Sequence, residues 1–332
     1  MTYQKTISIL GAGSMGTAIA FLIASQDKGN VRLWGRDSQL ISQIRETREN
    51  VKYLPGIKLP PEVLVTSDLE EAARKSDLLI LAVPSFAVRE MAERISPFSK
   101  NLPPLLMISK GMEKDTSLLP FQALEQILGQ REILHLTGVG YAKEIARESA
   151  VTEVLASRER LLLTDFKNLF QTRNIRIETS DDLLGVQLAG ALKNVMVIGI
   201  GMAGCVCQSL ELKETLIEVG VREMVKLGKV MGAKEETFWG AAGKGDLLLS
   251  ADPLSRNYRL GRMLYQKGIR EVEKDLADKK MVVEGFHTAW AVYQLIKKYG
   301  LELPMTQEIY RVIYEGADPK ASAEKFIALA GK

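Results

Sequence analysis

Short apolar runs alternate with segments of helical spacing through the first half of the chain. Runs that are apolar on both faces are typical of parallel strands covered by helices on each side. The pattern therefore predicts a doubly wound α/β sheet. The predicted strands are Thr6–Leu10, Val31–Trp34, Val63–Thr66, Leu78–Val83, Leu105–Ser109, Leu134–Gly138, Thr152–Ala156 and Ile175–Glu178.

The second half of the chain loses this strand pattern and carries helical spacing instead. Asp181 and Asp182 offer a helix start, because aspartate side chains accept hydrogen bonds from the free amides of a first helical turn. We expect an N-terminal domain over residues 1–180 and a mostly α-helical C-terminal domain over residues 181–332. The long helices predicted there are Asp182–Ala203, Leu212–Met231, Pro253–Gln266, Gly285–Tyr299 and Met305–Tyr314.

The composition excludes several classes of protein. Of the 332 residues, 46% are hydrophobic, which is enough to build two packed cores. The 44 Lys and Arg residues are scattered among 41 Asp and Glu residues, so the net charge of +3 offers no basic arm for nucleic acid. The first residues lack a basic and apolar leader, and no uninterrupted apolar run reaches about 18 residues. We expect a cytoplasmic protein with no membrane span and no nucleic-acid partner.

The few cysteines and histidines point to no metal or redox chemistry. Cys205 and Cys207 are too few for a disulfide framework and lack the paired spacing of a zinc site, so we expect no metal. His135 falls in a predicted strand and His287 in a predicted helix, and we expect structural roles for both.

A glycine-rich string, Gly11-Ala12-Gly13-Ser14-Met15-Gly16, follows the first predicted strand and opens a predicted helix over Thr17–Ser25. In this setting Gly11 permits a tight turn, Gly13 lets the backbone approach a pyrophosphate, and Gly16 lets helix and strand pack closely. The free N–H groups at the start of the helix bind the anion. The motif predicts a Rossmann-type dinucleotide site in the N-terminal domain.

Arg36 follows the second predicted strand, about 20 residues after the last glycine of the motif. An arginine there pairs with the 2′-phosphate of NADP, whereas an acidic residue accepts from the ribose 2′-hydroxyl of NAD. Asp37 is adjacent, and an arginine can also stack on the adenine of either cofactor. We therefore expect a preference for NADPH over NADH rather than exclusion of NADH.

Nine short strings, the first of which includes the glycine-rich string, together match the order and spacing found in a known protein family. They are Gly11-Ala12-Gly13-Ser14-Met15-Gly16-Thr17-Ala18, Trp34-Gly35-Arg36, Tyr53-Leu54-Pro55-Gly56, Ala82-Val83-Pro84-Ser85, Ser109-Lys110-Gly111-Met112-Glu113, Gly190-Ala191-Leu192-Lys193-Asn194-Val195, Gly243-Lys244-Gly245-Asp246-Leu247, Ser255-Arg256-Asn257 and Val283-Glu284-Gly285. With them the sequence resembles the bacterial type of NAD(P)-dependent glycerol-3-phosphate dehydrogenase over nearly its whole length.

The resemblance implies an oxidoreductase that interconverts dihydroxyacetone phosphate and sn-glycerol 3-phosphate by hydride transfer with NAD(P)H. Such an enzyme supplies glycerol 3-phosphate for glycerophospholipid synthesis, and we expect it to be a homodimer. By the same resemblance, Lys193 accepts the proton in oxidation and donates it in reduction, and Lys110 and Asp246 complete the catalytic group. The chemistry requires such a residue, because the carbonyl oxygen must gain a proton as its carbon gains hydride.

The resemblance also assigns residues to the two ligands. The cofactor-binding residues are Gly11, Gly13, Ser14, Met15, Gly16, Arg36, Lys110, Ala142, Arg256, Val282 and Glu284. The substrate-binding residues are Lys110, Gly138, Gly140, Lys193, Asp246, Ser255, Arg256 and Asn257. Of these, Ser255, Arg256 and Asn257 resemble the site for the substrate phosphate.

One string departs from the family pattern. Where the family has Gly-Pro-Ser-Phe-Ala, this chain has Gly138-Val139-Gly140-Tyr141-Ala142, so the serine hydroxyl that touches the substrate is absent. Losing one neutral hydrogen bond costs about 0.5–1.5 kcal/mol, which weakens substrate binding without abolishing activity. A water molecule or Tyr141 could substitute, and the gap leaves room for an altered substrate. Alternatively, glycine stands at position 140 because the local backbone has a positive φ.

Two other functions stay open at the level of sequence. One is a related two-domain dehydrogenase acting on another small hydroxy acid or sugar phosphate, such as a 3-hydroxy acid or 6-phosphogluconate. Gly140 favours it, whereas Lys110 and the Ser255-Arg256-Asn257 string argue against it. The other is a catalytically silent nucleotide-binding regulator, against which the retained Lys193, Lys110 and Asp246 argue.

Overall fold

The computed structural model of the protein describes residues 4–74, 76–278 and 282–331. The chain forms two compact units. The sheet unit comprises the residues up to Ser109 together with Pro120–Leu183, and the helical unit comprises Lys110–Leu119 together with the residues from Leu184 onward. The sequence pattern put all of residues 1–180 in one domain. The structure instead assigns Lys110–Leu119 to the helical unit, because the Lys110 ammonium and carbonyl bind side chains of that unit.

An eight-stranded sheet forms the centre of the sheet unit. Its strands are β1 (Thr6–Leu10), β2 (Asn30–Trp34), β3 (Leu64–Thr66), β4 (Leu78–Leu81), β5 (Leu105–Met107), β6 (Ile133–Gly138), β7 (Val151–Ser157) and β8 (Ile175–Ser180). Their order across the sheet is β3-β2-β1-β4-β5-β6-β7-β8, and β6 and β7 are antiparallel whereas every other neighbouring pair is parallel. The predicted doubly wound α/β class is confirmed.

The strand order reverses between β1 and β4, because the chain first builds outward through β2 and β3 and then returns to add β4 on the other side. Ligands of open α/β sheets bind outside the carboxyl ends of the strands at such a switch point. All four residues of β4 are fully buried, as the apolar run predicted for a central strand. The glycine-rich string begins directly after β1, at this edge.

The described residues of the sheet unit form seven α-helices and two short 3-10 helices over Ser85–Ala87 and Ser96–Asn101. The α-helices are α1 (Ser14–Ser25), α2 (Ser38–Thr47), α3 (Leu69–Ala73), α4 (Val88–Ile95), α5 (Pro120–Leu128), α6 (Ala142–Ala146) and α7 (Arg160–Phe170). Helix α1 begins three residues before the predicted start at Thr17, so its first turn includes part of the glycine-rich string.

The helical unit contains nine α-helices among its described residues. They are α8 (Leu183–Ala203), α9 (Leu210–Met231), α10 (Glu235–Trp239), α11 (Asp246–Ser250), α12 (Arg256–Lys267), α13 (Ile269–Asp278), α14 (Glu284–Tyr299), α15 (Pro304–Tyr314) and α16 (Pro319–Ala330). The predicted helical C-terminal half is confirmed. Helix α12 begins at Arg256 rather than at the predicted Pro253, because the Ser255 hydroxyl caps it by accepting from the Tyr258 amide.

Helix α8 is the core helix of its unit. It is the one helix in the described ranges that is long and apolar enough to cross a membrane, and 94% of its most apolar window is buried inside the protein. Two glycines bring α12 against it, because a Cβ on Gly201 would collide with the Tyr258 carbonyl and a Cβ on Gly261 with the Ile198 carbonyl. Lys193 lies halfway along α8.

Candidate active site

Lys193 is the most deeply buried lysine of the site, with 6% of its surface exposed. It lies on α8 between apolar neighbours, where an ammonium group must be compensated by hydrogen-bond acceptors. The lysine Nζ donates to Asp246 Oδ1 at 3.0 Å and to Ser250 Oγ at 2.6 Å. The charge of this buried lysine is therefore held by two acceptors.

Asp246 joins two lysines. It is the first residue of α11, directly after a π-helical segment over Ala241–Gly245, and only 1% of it is exposed. Its Oδ2 accepts from Lys110 Nζ at 2.7 Å while its Oδ1 accepts from Lys193. Ser250, one helical turn later on α11, places its Oγ 3.4 Å from Oδ1. The three residues that the sequence named as catalytic are thus in direct contact within one unit.

Opposing effects act on the Asp246 carboxyl. Burial raises its pKa, but the charges and hydrogen bonds of Lys110 and Lys193 outweigh burial and leave the pKa below its ordinary value. Asp246 is therefore a carboxylate at neutral pH. With both lysines charged, the group carries a net charge of one positive unit, which suits an anionic substrate.

A chain of amides ties this group to two further helices. Asn194 Nδ2 donates to the Lys110 carbonyl at 2.9 Å, and Asn194 Oδ1 accepts from Asn257 Nδ2 at 2.8 Å. Asn257 Oδ1 in turn accepts from the Gly285 amide at 3.0 Å, and a Cβ on Gly285 would lie only 2.7 Å from that oxygen. These hydrogen bonds link the Lys110 backbone to the Asn257 side chain. The Asn257 oxygen leaves room only for glycine at position 285.

The residues predicted to hold the substrate phosphate lie at the start of α12. Ser255 is the buried N-cap, and Asn257 is buried in the amide chain. Arg256 is exposed, and its Nη1 donates to the Val282 carbonyl at 2.9 Å. Glu284 is the first residue of α14, two residues beyond Val282. Arg256 and Val282, two positions predicted to contact the cofactor, are therefore direct neighbours.

In the sheet unit, the glycine-rich string adopts the conformation that its sequence predicted. Gly11 has a φ of 128°, and a Cβ there would collide with the Ala82 carbonyl at the end of β4. A Cβ on Gly16 would lie 2.9 Å from the Ala82 Cβ. By contrast, no heavy atom lies within 4 Å of the position that a Cβ on Gly13 would take. Gly11 and Gly16 are packed against protein, and Gly13 faces open space.

The start of α1 fits a dinucleotide pyrophosphate. Gly13 is its N-cap and supplies no side-chain acceptor, so the amides of the first turn are left for an external anion. Ser14 turns its hydroxyl away to the Tyr53 carbonyl at 2.7 Å, and Met15 packs against the hydrophobic core. The open space at Gly13 and the uncapped amides are what the phosphates of NAD(P) require.

Asn50 supports this loop, although the sequence did not single it out. It is fully buried, and its Nδ2 donates to the Ala12 carbonyl at 2.9 Å and to Thr17 Oγ1 at 2.8 Å. It thereby fastens the second residue of the glycine string to the first turn of α1.

Arg36 follows β2 and is exposed. No ion pair joins it to any of the described residues, so its guanidinium is available to a ligand. Asp37 is already engaged as the N-cap of α2, where its Oδ1 accepts from the Gln39 and Leu40 amides at 3.1 Å. One carboxylate oxygen of Asp37 is therefore already hydrogen-bonded to the first turn of α2.

The string over residues 138–142, which departs from the family pattern, lies at the end of β6. Gly138 has a φ of 154°, whereas Gly140 does not have a positive φ, so the explanation of Gly140 by backbone conformation is wrong. A Cβ on Gly140 would instead lie 2.7 Å from Oε1 of the buried Glu153. Ala142 begins α6, whose first turn is fixed by the Tyr141 amide donating to a Glu144 carboxylate oxygen at 2.7 Å.

Three further residues, Ser250, Asn194 and Glu153, were also not predicted from the sequence. Ser250 is four residues from Asp246 and shares its face only because α11 is helical, and that short helix has no strong periodic signal. Asn194 is adjacent to Lys193, but its two amide contacts depend on folding. Glu153 lies in a strand whose antiparallel pairing sets it opposite Gly138. Within the described ranges, no cluster of His, Cys, Asp and Glu residues could hold a metal ion.

Two sequence-family models match most of the chain. The model described as the N-terminus of NAD-dependent glycerol-3-phosphate dehydrogenase matches residues 6–162, and the corresponding C-terminus model matches residues 182–324. The chain belongs to this family.

Relatives of the family align with the chain almost end to end. A glycerol-3-phosphate dehydrogenase [NAD(P)+] of Carboxydothermus hydrogenoformans is 37% identical over 322 residues, covering 95% of this chain and 94% of that protein. The enzyme of the same name from Bacillus subtilis is 35% identical over 330 residues, covering 98% and 94%. The crystal structure of glycerol-3-phosphate dehydrogenase from Coxiella burnetii has a TM-score of 0.91 at 29% identity, covering 98% of this chain and 99% of that chain.

Proposed function

We propose that this family member interconverts dihydroxyacetone phosphate and sn-glycerol 3-phosphate with NAD(P)H, and so supplies glycerol 3-phosphate for glycerophospholipid synthesis. The observation that carries the proposal is the buried Asp246 carboxylate between Lys193 and Lys110. This arrangement presents a proton-transferring amine beside a second cation. Reduction of a phosphorylated ketone requires a proton donor and positive charge near the reacting oxygen.

The cofactor is held by the sheet unit through the glycine-rich string and the uncapped first turn of α1. When bound, the dihydronicotinamide supplies the hydride. Arg36, which is exposed after β2, would pair with the 2′-phosphate of NADP. Lys110, Ala142, Arg256, Val282 and Glu284 are the further cofactor contacts in this proposal.

Lys193 handles the proton. Its Nζ donates to Asp246 Oδ1 and to Ser250 Oγ. In this proposal Nζ gives a proton to the substrate oxygen in reduction and takes one from it in oxidation. Asp246 and Ser250 hold the amine in one orientation, and the Asp246 carboxylate stabilises its charged form before the proton is transferred.

The substrate phosphate is bound at the start of α12. Ser255, Arg256 and Asn257 lie there, and the amides of the first helical turn add donors that favour an anion. The net positive charge of the group of Lys110, Lys193 and Asp246 favours the same anionic substrate. Gly138 and Gly140 are the remaining substrate contacts in this proposal, through the backbone at the end of β6.

An assay of NADPH and NADH oxidation with dihydroxyacetone phosphate tests the proposal, with the product identified as sn-glycerol 3-phosphate. We expect turnover with this ketone and a kcat about 10²–10⁴-fold lower in a Lys193→Met variant. Turnover only in the oxidation of a 3-hydroxy acid or of 6-phosphogluconate would favour the related dehydrogenase. Binding of NADPH without turnover of any of these compounds would instead favour the silent regulator.

The proposal extends to the setting of the enzyme, a homodimer in the cytoplasm. The expectation of a dimer comes from the resemblance to the bacterial enzymes. Light scattering on the purified full chain measures the mass in solution, and a mass of twice 36.8 kDa is expected. A mass of one chain at micromolar concentration would contradict the dimer.

A further inference from the structure

A second cavity lies in the helical unit, and none of the proposed catalytic or phosphate-binding residues line it. Its volume is about 280 Å³, and it is formed by the end of α8, the start of α9 and one face of α12. Ile200 stands seven residues after Lys193 on α8, which at 1.5 Å per residue is about 10 Å further along the helix axis. We propose that this cavity binds a small phosphate monoester with a short apolar body.

Cationic and neutral donors line the cavity without a carboxylate among them. Lys213 and Arg262 are both half-buried in its wall, and neither forms an ion pair with any residue in the described ranges. The Tyr258 hydroxyl lies against Gly204, since a Cβ there would be 2.6 Å from the phenol oxygen. Two half-buried cations without a counter-ion favour an anion at this place.

The start of α9 adds hydrogen-bond donors and partial positive charge to the same cavity. Ser209 is its N-cap and accepts from the Leu212 amide at 3.0 Å, which leaves the Leu210 amide and the proton of the Ser209 hydroxyl for a ligand. The N-terminus of this 22-residue helix carries the positive end of its dipole. Glu211 and Glu214 on the same helix are exposed and do not line the cavity. Three or more donors around two cations match the three terminal oxygens of a phosphate monoester better than a carboxylate.

The floor and rim of the cavity are apolar. Ile200 and Leu216 form a floor that is at least 98% buried, whereas Leu210 on the rim is 67% exposed. Burial of this leucine by an apolar group would remove its surface from water. An alkyl body attached to the phosphate would cover Leu210, so we infer an ester with an apolar body rather than free phosphate.

Cys207 provides a reporter inside the cavity, because it is a lining residue and is exposed to solvent. Its alkylation by iodoacetamide, followed by mass spectrometry of the peptide, reports occupancy at this place and not at the active site. Cys205 is a weaker target, because burial raises the pKa of its thiol against the opposing charge of Arg262. The probes are n-butyl phosphate, inorganic phosphate and 1-butanol at constant ionic strength.

We expect n-butyl phosphate to slow alkylation of Cys207 at least threefold, with inorganic phosphate and 1-butanol effective only at tenfold or higher concentration. Lys213→Met and Arg262→Met should each raise the concentration for half-protection about tenfold. Lys226→Met on α9 and Arg259→Met on α12 remove exposed charges outside the cavity and should leave that concentration unchanged.

Three results would overturn the proposal. The first is no protection of Cys207 by n-butyl phosphate, and the second is equal protection in the cavity variants and in the wild type. The third is protection that rises with protein concentration in the absence of the ester, which would assign the apolar rim to a contact between copies. Each is measured on the full chain and is independent of dehydrogenase activity.

Discussion

Asp246 Oδ1 lies 3.0 Å from Lys193 Nζ, with Asp246 1% and Lys193 6% exposed. A buried ion pair contributes little to stability compared with an apolar pair, but removing one partner leaves an uncompensated charge. In this group the two partners are not equivalent. Loss of Lys193 leaves Asp246 paired with Lys110, whereas loss of the Asp246 charge leaves two ammonium groups without their common carboxylate.

This asymmetry predicts the outcome of a double-mutant cycle. Asp246→Asn should lower the free energy of unfolding by about 3–5 kcal/mol, and Lys193→Met should lower it by clearly less. The double variant should be more stable than the sum of the two changes indicates, because it leaves only one ammonium uncompensated. Urea unfolding followed by circular dichroism measures all four free energies. Additive effects would mean that the two side chains act independently.

The lowered pKa of Asp246 predicts how stability depends on pH. The folded protein binds this proton less readily than the unfolded chain, so the stabilisation is complete above the ordinary aspartate pKa of about 3.9. It is lost as the pH falls through the lower pKa of the folded state. Between pH 5 and pH 3 the wild type should therefore lose more unfolding free energy than Asp246→Asn does. A steeper loss in the variant would contradict the direction of the shift.

The side chain of Glu153 lies beside Gly140, in the space next to the position that a Cβ would take. The Cβ of a serine at position 140 would lie 2.7 Å from Glu153 Oε1, so the end of the glutamate side chain must shift, and Gly140→Ser should lower the free energy of unfolding by about 1 kcal/mol or less. Adding Glu153→Ala should relieve this loss, whereas adding Glu153→Gln, which keeps the size of the side chain, should not. Thermal unfolding of the single and double variants measures the effect. Gly140→Ser with unchanged stability would show that Glu153 moves aside at no cost.

Arg36 should determine the preference between the two cofactors. Its exposed guanidinium pairs with no described acid, so Arg36→Ala should leave the fold intact. Loss of a charge-assisted contact with the 2′-phosphate should weaken NADPH by about 1.5–3 kcal/mol, and NADH by considerably less. The ratio of kcat/KM for NADPH and NADH measures this preference. An equal loss for both cofactors would mean that Arg36 stacks on adenine without contacting the phosphate.

The sequence predicted the α/β class and the positions of all eight strands, because apolar runs and turn residues are local signals. It did not predict that Lys110–Leu119 joins the helical unit, because that assignment depends on contacts with Asp246 and Asn194 more than 80 residues away. Strand β5 ends at Met107, so Lys110 lies beyond the sheet rather than at the strand end.

In the candidate site, too, local strings were predicted from the sequence, whereas contacts between distant residues were not. Lys193, Lys110 and Asp246 were identified from strings that match a family, and in the structure both lysines donate to Asp246, whereas their catalytic role stays a prediction. Ser250 carries no signal of its own, because a serine becomes a partner of Lys193 only when α11 turns it toward the ammonium. The obstacle to a serine at Gly140 also depends on a cross-strand neighbour, which the local sequence does not reveal.

The most direct test of proton transfer by Lys193 is kcat for the reduction of dihydroxyacetone phosphate by the Lys193→Met variant. Methionine keeps an apolar stem but lacks the amine, so kcat should fall by about 10²–10⁴-fold. The dissociation constant of NADPH, measured by fluorescence titration, should change by less than about twofold, because Lys193 is not among the residues proposed to bind the cofactor. Wild-type turnover by this variant would remove Lys193 from the mechanism.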